Sequence, residues 1–154
     1  MPWTNSLGRA FLLQALAETT DHSLRASAFN QARNYLQQAV AGLREAGIQE
    51  YLSRGLFARA AYYRAQNEFA PAWADLEEAR EITERGEMKL HLADYHLEAC
   101  RLLLAEGRAH GAEGVAQKAK EHLDIAAQMI EEMGYGRRKP EVEALQHEIT
   151  ALKI

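Results

Sequence analysis

The same spacing of small and apolar side chains occurs twice in this chain. Counting from Leu56 and again from His96, such side chains follow 4, 7, 16, 20 and 23 positions later. They are Ala60, Tyr63, Ala72, Leu76 and Ala79 in the first set and Cys100, Leu103, Ala112, Ala116 and Ala119 in the second. Offsets of four and seven lie on one face of a helix, and the jump to sixteen crosses a turn. Alanines in the second helix let two backbones approach closely. The spacing therefore predicts helical hairpins.

Glycine, proline and polar clusters divide the chain into seven predicted helices, and alternation of period two is absent. Six of the expected helices cover about 4–19, 24–46, 49–66, 88–105, 111–133 and 140–154, and the fourth helix has Pro71 in its first turn and ends at Gly86. Asp21 or Ser23 is expected to cap the second helix, and Gly47, Gly107 and Gly134 are expected to end helices. The prediction is an all-α domain over 1–154, built from antiparallel hairpins at 4–46, 49–85 and 88–133 with a capping helix at 140–154.

Bulk properties argue against several classes of protein. The chain has 154 residues, enough for one domain, and its net charge of −4 gives no reason to expect nucleic acid. No apolar run is long enough to cross a membrane, and the patch FLLQALA lacks the flanks of a signal peptide. A single cysteine, Cys100, cannot form an internal disulfide. We therefore expect a cytoplasmic location.

The segment LFARAAYYRAQNEFAPAWADLEEAREI (56–82) resembles a tetratricopeptide repeat. Its Tyr63, Phe69, Ala72, Leu76 and Ala79 match the aromatic, alanine and large apolar positions of that family in order. HLEACRLLLAEGRAHGAEGVAQKAKEHL (96–123) resembles a second unit with a glycine at its turn, and its second helix also fits a register seven residues later, at Ala119, Leu123 and Ala126. The resemblance implies an α-solenoid of about three stacked hairpins and a capping helix.

The chain also departs from that family. The two units lie 40 residues apart, whereas the family repeat is about 34 residues long, and Arg59 stands at a place that is usually apolar. Together with IQEYLSRGLFARA (48–60), HLADYHLEA (91–99) and GYGRRKPEVEAL, these longer units resemble the C-terminal helical arrays of bacterial signal-transducing ATPases. That resemblance implies a protein-interaction scaffold in a bacterial signalling system. A right-angled helical bundle without repeat ancestry is the alternative fold.

Motifs for catalysis or cofactor binding are not found in the sequence. GRAHGAEG (107–114) lacks the lysine and hydroxyl of a phosphate loop, and no serine lies in a nucleophile elbow. His96 and Cys100 share a helix face, but Cys100 also suits a packing position, so we predict no metal site. The prediction is a non-enzyme without catalytic, cofactor-binding or metal-binding residues. The alternative is a helical-bundle enzyme or small-ligand-binding protein with His96, Cys100 and Tyr63 near a pocket between hairpins.

The resemblance also implies a concave groove lined by the first helix of each hairpin. Its lining residues would be Arg54, Phe57, Ala61 and Arg64 in one hairpin and Asp94, Leu97, Arg101 and Leu104 in the next. Because three of these are arginines in an acidic protein, the expected partner is a protein or peptide with an acidic or C-terminal segment. Two alternatives stay open: the arginines pair with neighbouring glutamates, or the final helix fills the groove.

Self-association is a further expectation, through the N-terminal hairpin. Trp3, Leu7 and Phe11 recur at four-residue spacing and would form an apolar edge there. No nucleic acid and no membrane is expected as a partner.

Overall fold

The computed structural model describes residues 2–111 and 113–152, with side chains from Thr4 onward, and this part of the chain is all-α. Its helices are α1 (Pro2–Ala17), α2 (His22–Ala46), α3 (Gln49–Ala65), α4 (Phe69–Arg85), α5 (Lys89–His110), α6 (Val115–Met133) and α7 (Lys139–Leu152), with a short 3₁₀ helix, η1 (Gly136–Arg138), before α7. Within these residues, every helix is too short or too polar to cross a lipid bilayer. The all-α prediction is therefore confirmed for the described residues.

Most predicted helix boundaries agree with the structure within a few residues. Asp21 caps α2, because its carboxylate accepts hydrogen bonds from the backbone N–H groups of Ser23 and Leu24 at 2.9 and 3.1 Å. Gly47 and Gly134 end α2 and α6 in the left-handed conformation that suits glycine. The turn residues of the sequence therefore locate these helix ends correctly.

The predicted end of α5 at Gly107 is wrong. The helix continues to His110, and Gly111, with φ of 62°, caps it instead. A β-carbon added at Gly107 would lie 3.0 Å from Val115 Cγ1 and 3.5 Å from Leu152 Cδ2. A larger residue at position 107 would therefore crowd side chains of α6 and α7. The next helix accordingly begins at Val115, and Ala112, a predicted packing position, lies outside the described residues.

Contacts among the helices divide the chain into two compact units, one ending at Ile82 and the other beginning at Thr83. In the first unit, α1 packs along α2, and α3 contacts both. Five of the six predicted packing residues of this unit are buried, and Tyr63 is half-buried. The five are Leu56, Ala60, Ala72, Leu76 and Ala79. The small and large apolar positions read from the sequence therefore form its core.

Helices α1 and α2 approach each other closely at Gly8. A β-carbon there would lie 2.6 Å from Cγ and 3.3 Å from the backbone nitrogen of Leu36, which is fully buried. Three residues along α1, the ring of Phe11 stacks on that of Tyr35 with 5.5 Å between centroids. The small residue permits the contact, and the aromatic pair fills the space beside it.

One polar network joins α2, α3 and α4. The guanidinium of Arg59 donates to both carboxylate oxygens of Asp75, at 2.7 and 2.8 Å, and to Oε1 of Gln37 at 2.8 Å. The amide of Gln37 in turn donates to the hydroxyl of Tyr63 at 3.1 Å. Asp75 is only 5% exposed, so its charge depends on this partner. Arg59 is accommodated in this partly buried place because Nε, Nη1 and Nη2 each donate a hydrogen bond.

In the second unit, α5 and α6 form a hairpin covered by α7. Ala119, Leu123 and Ala126 are fully buried, whereas Ala116 is half-buried. The later of the two registers predicted for this helix, at Ala119, Leu123 and Ala126, therefore describes the buried face of α6.

The final helix also buries an apolar stripe, through Leu145 and Ile149. Two ion pairs, Arg101 with Glu141 and Arg108 with Glu148, each span forty positions. Because the separation is equal, α7 runs parallel to α5.

We expect Gly8→Ala to lower the free energy of unfolding by about 1–3 kcal/mol, because the new methyl group must displace Leu36 in a packed core. Urea denaturation followed by far-UV circular dichroism measures the change. Gly136→Ala is the control, since an added β-carbon there meets nothing within 4 Å. Equal stability of Gly8→Ala and the parent chain would contradict the close contact.

We expect Asp75→Ala to cost about 3 kcal/mol, because it leaves the Arg59 guanidinium partly buried without its carboxylate. Asp75→Asn should lose less stability than Asp75→Ala, since the amide oxygen still accepts one hydrogen bond from Arg59. Glu78→Ala is the matched control: it breaks an exposed pair with Arg44 and should cost under about 1 kcal/mol. Equal losses of stability in Asp75→Ala and Glu78→Ala would contradict a stabilising role of the Arg59–Asp75 network.

Candidate functional site

The predicted groove residues of the first unit all lie on α3 and differ in exposure. Arg54 is exposed, and its guanidinium lies 5.9 Å from the ring centroid of Tyr51. Phe57 and Ala61 are half-buried and pack against the core, and Arg64 in the last turn is half-buried. Arg54 is therefore the residue of this set most open to a partner.

The predicted groove residues of the second unit face the C-terminal segment of the chain itself. Arg138 of η1 pairs with Asp94 at 3.1 Å, and Glu141 of α7 pairs with Arg101 at 2.9 Å. Leu97 and Leu104 lie on the same face of α5 and are 1% and 0% exposed. Arg101 thus pairs with glutamates of the same chain, Glu98 and Glu141, and Glu141 of the final helix lies against this face of α5. Partner binding by these four residues stays a prediction that requires α7 to move away.

The N-terminal edge predicted for self-association is partly described. Leu7 is 36% exposed, whereas Phe11 is half-buried against Tyr35. The side chain of Trp3 lies outside the described part of the structure. Leu13 and Leu16, which are 66% and 49% exposed, add apolar surface to α1. Self-association through this helix stays a prediction.

A surface pocket of about 430 Å³ lies between α2 and the C-terminal end of α3. We call it the α2–α3 pocket. Six lining residues recur at three- and four-residue intervals along α2, and three come from the end of α3 and the turn after it. They are His22, Arg25, Ala26, Phe29, Asn30 and Arg33, facing Tyr62, Gln66 and Glu68. The pocket volume falls within the range of about 300–1,000 Å³ that is common for ligand sites.

The α2–α3 pocket combines basic and aromatic groups. The Arg25 guanidinium lies over the Phe29 ring, 5.5 Å from its centroid, and the rings of Phe29 and Tyr62 meet edge to face at 6.4 Å. Burial raises the pKa of the Tyr62 hydroxyl, the charge of Arg33 opposes the shift, and that of Glu68 adds to it. Two guanidiniums against one carboxylate leave the lining net positive.

Sequence reasoning did not select this pocket, although a signal was present. Arg25, Phe29 and Arg33 are spaced by four residues, which places them on one helix face. Helices α1 and α2 lie outside the two repeat-like units at 56–82 and 96–123, so the resemblance implies no lining face for them. The opposite wall comes from α3, and only tertiary packing brings it to α2.

Two imidazoles meet between α5 and α6. Nδ1 of His96 lies 3.0 Å from Nδ1 of His122, and the Tyr95 ring contacts both imidazoles edge to face. Burial, and to a lesser degree the adjacent His122, lowers the pKa of His96 from its ordinary 6.5 to about 4, with Glu84 opposing the shift. Sequence reasoning paired His96 with Cys100 instead. His122 was missed because it lies 26 residues from His96, and such a separation does not indicate that two residues are neighbours.

Cys100 is fully buried, and burial raises the pKa of its thiol to about 12. A thiol that stays protonated is a poor metal ligand and nucleophile. Cys100 therefore fits the packing position that the sequence suggested. Tyr63, the third residue of the alternative pocket, accepts a hydrogen bond from Gln37 in the first unit.

Comparison of the chain with protein-family models, curated proteins and solved structures found no significant match.

The lowered pKa of His96 predicts that the protein loses stability as the pH falls. The unfolded chain takes up this proton near pH 6.5, whereas the folded protein resists it until about pH 4. The contribution is therefore present above pH 6.5 and is lost as the pH falls from 6.5 to 4. We expect the melting temperature of the parent chain to fall at least about 2 °C more than that of His96→Gln between pH 7 and pH 4.5.

Thermal melts of both proteins across this range measure the difference. His147→Gln, at an exposed position, is the control and should follow the parent chain. Parallel curves for the parent chain and His96→Gln would show that His96 is protonated as easily in the folded protein as in the unfolded one.

Proposed function

We propose that this chain is a protein-interaction module that binds an acidic peptide segment of a partner in the α2–α3 pocket. The observation that carries this proposal is the pair Arg25 and Arg33. Among the described residues, neither has a carboxylate partner, and both line one pocket beside Phe29 and Tyr62.

The contrast with other arginines supports this choice. Six arginines elsewhere in the two units bind carboxylates of the same chain: Arg44 with Glu78, Arg59 with Asp75, Arg80 with Glu77, Arg101 with Glu98 and Glu141, Arg108 with Glu148, and Arg138 with Asp94 and Glu141. Arg54 and Arg137 lie instead against tyrosine rings and line no described pocket with a second arginine. In a chain of net charge −4, acidic side chains are in excess. Arg25 and Arg33, which line one pocket without such a partner, are therefore suited to a carboxylate from outside.

The chemistry of the pocket suggests what the partner segment contains. A guanidinium presents a planar set of donors that matches a carboxylate. The rings of Phe29 and Tyr62 offer apolar surface to a neighbouring side chain. The expected ligand is an Asp or Glu, or a terminal carboxylate, next to an apolar residue.

A broader role as a scaffold belongs to the same proposal. Resemblance to tetratricopeptide repeats and to the helical arrays of bacterial signal-transducing ATPases supports an α-solenoid that works as a cytoplasmic interaction module in bacterial regulation. The buried alanines and leucines at the repeat positions are consistent with that resemblance. A small dicarboxylate is the second candidate ligand, because the pocket volume would also suit one.

Fluorescence polarisation with labelled short peptides of alternating glutamate and leucine tests the proposal, with glutamine-for-glutamate peptides as the ligand control. We expect the joint change Arg25→Ala and Arg33→Ala to weaken binding at least about tenfold, because each lost charge-assisted hydrogen bond costs about 1.5–3 kcal/mol. Binding should also weaken as salt rises.

Arg137→Ala is the matched protein control, since it removes an exposed arginine of the second unit. The joint change Arg54→Ala and Arg64→Ala tests the surface of α3 predicted from the sequence. Loss of binding only in that variant would move the site to α3. Unchanged binding in both variants, or equal binding of the glutamine peptides, would refute an acidic-segment site. Equally tight competition by free glutarate would favour the small-ligand alternative.

A further inference from the structure

One face of α5 carries charges and leucines at a period of seven residues. Asp94, Arg101 and Arg108 recur at seven-residue steps. Leu97 and Leu104, also seven positions apart, lie between them and are buried. Seven residues are nearly two helical turns, so all five lie on one side of the helix. We call this surface the α5 seam, and its pattern is typical of a helix that packs lengthwise against a second helix.

The C-terminal segment of the chain presents the complementary charges to the α5 seam. Its charged groups are one arginine of η1 and two glutamates of α7, and the two glutamates are themselves seven positions apart. The ion pairs are Asp94 with Arg138 at 3.1 Å, Arg101 with Glu141 at 2.9 Å, and Arg108 with Glu148. The seam therefore selects a parallel helix that brings one positive and then two negative charges in this order.

Helix α7 is held to its unit less firmly than its neighbours. Among the described residues of these helices, α7 buries two side chains, Leu145 and Ile149, whereas α6 buries five and α5 buries nine. The side chains of Arg108 and Glu148 are 54% and 43% exposed, so water and salt weaken their ion pair. Elements with few buried apolar contacts open at the lowest free energy. Local opening of this unit therefore begins at α7.

The hinge before α7 allows the helix to leave. Gly134 ends α6 with φ of 68°, and a β-carbon at Gly136 would meet nothing within 4 Å. Glycine also adopts other backbone angles without steric cost, so the stretch 134–138 can straighten. Five extended residues at about 3.3 Å each span about 16 Å, whereas the axes of two packed helices are about 9 Å apart. The hinge is therefore long enough to carry an intact α7 across to another molecule.

We propose that the α5 seam binds α7 of a second copy of this chain, so that two copies exchange their last helices and form a symmetric dimer. The helix with the matching charges and apolar residues is the chain's own α7, which every second copy supplies. Its ion pairs and the contacts of Leu145 and Ile149 are the same within one chain and between two, so exchange loses no contact. The concentration of the chain sets the balance between closed monomer and dimer.

Reversing the charges on one side of the contact tests the proposal. The first variant, Arg101→Glu with Arg108→Glu, reverses the α5 seam, and the second, Glu141→Arg with Glu148→Arg, reverses α7. Each variant alone sets like charges against each other, whereas exchange between the two variants restores opposite charges in both directions. Sedimentation equilibrium of the equimolar mixture should show a heterodimer at least about tenfold tighter than the dimer of either variant alone.

The matched control is Glu143→Arg with Gln146→Arg, which adds arginines at exposed positions of α7 and leaves the paired glutamates in place. Mixed with the first variant, this control should form no such heterodimer. A heterodimer that is equally tight with the control would overturn the proposal, because it would reflect general attraction between oppositely charged chains.

A second measurement uses the parent chain and keeps the test valid if a variant does not fold. Native mass spectrometry of unlabelled and isotope-labelled parent chains should show mixed dimers, whose share rises with chain concentration up to about 1 mM. Backbone amides of α7 should exchange deuterium at least about tenfold faster than those of α5.

A parent chain that stays monomeric, or α7 amides as protected as those of α5, would overturn the exchange of α7. Dimers that are equally tight in the parent chain and in each variant alone would overturn it as well, since the contact would then lie elsewhere, for example on α1.

Discussion

Close contact between helix backbones is the constraint on which both units depend. Gly8 lies against Leu36, and Gly107 lies against Val115, with no room for a side chain at either glycine. Alanines at 0% exposure, among them Ala79 in the first unit and Ala119 in the second, also lie in the cores of the two units. Small side chains at these points let neighbouring leucines interlock, so the position of each helix follows from where its smallest residues fall.

Arginine side chains in the first unit have two different roles. Arg59 is enclosed by Asp75 and Gln37, which makes it part of the structure of the first unit. Arg25 and Arg33 line a pocket without an acidic partner among the described residues, and this is why they, and not Arg59, are proposed to meet another protein. The same residue type is structural where the chain supplies a carboxylate and is a candidate for recognition where it does not.

The second unit shows how tertiary contacts change the meaning of a residue. Asp94 and Arg101 were predicted to line a groove from their spacing on one helix. In the structure they pair with Arg138 and Glu141, so the C-terminal segment covers that face. His96 gains His122 as a neighbour through the packing of α5 on α6. Spacing along one helix identifies which side chains share a face, but it does not identify what covers that face.

The sequence by itself determined the helical class, most helix ends and the buried small residues. These depend on local rules: the period of 3.6 residues, the capping carboxylate of Asp21 and the left-handed turns at Gly47 and Gly134. Tertiary structure alone decided that Gly107 is a packing residue, and it brought Tyr62 to face Arg25 and Nδ1 of His122 to face His96. Those outcomes join residues far apart in the chain, whose proximity depends on how helices pack and has no local signal in the sequence.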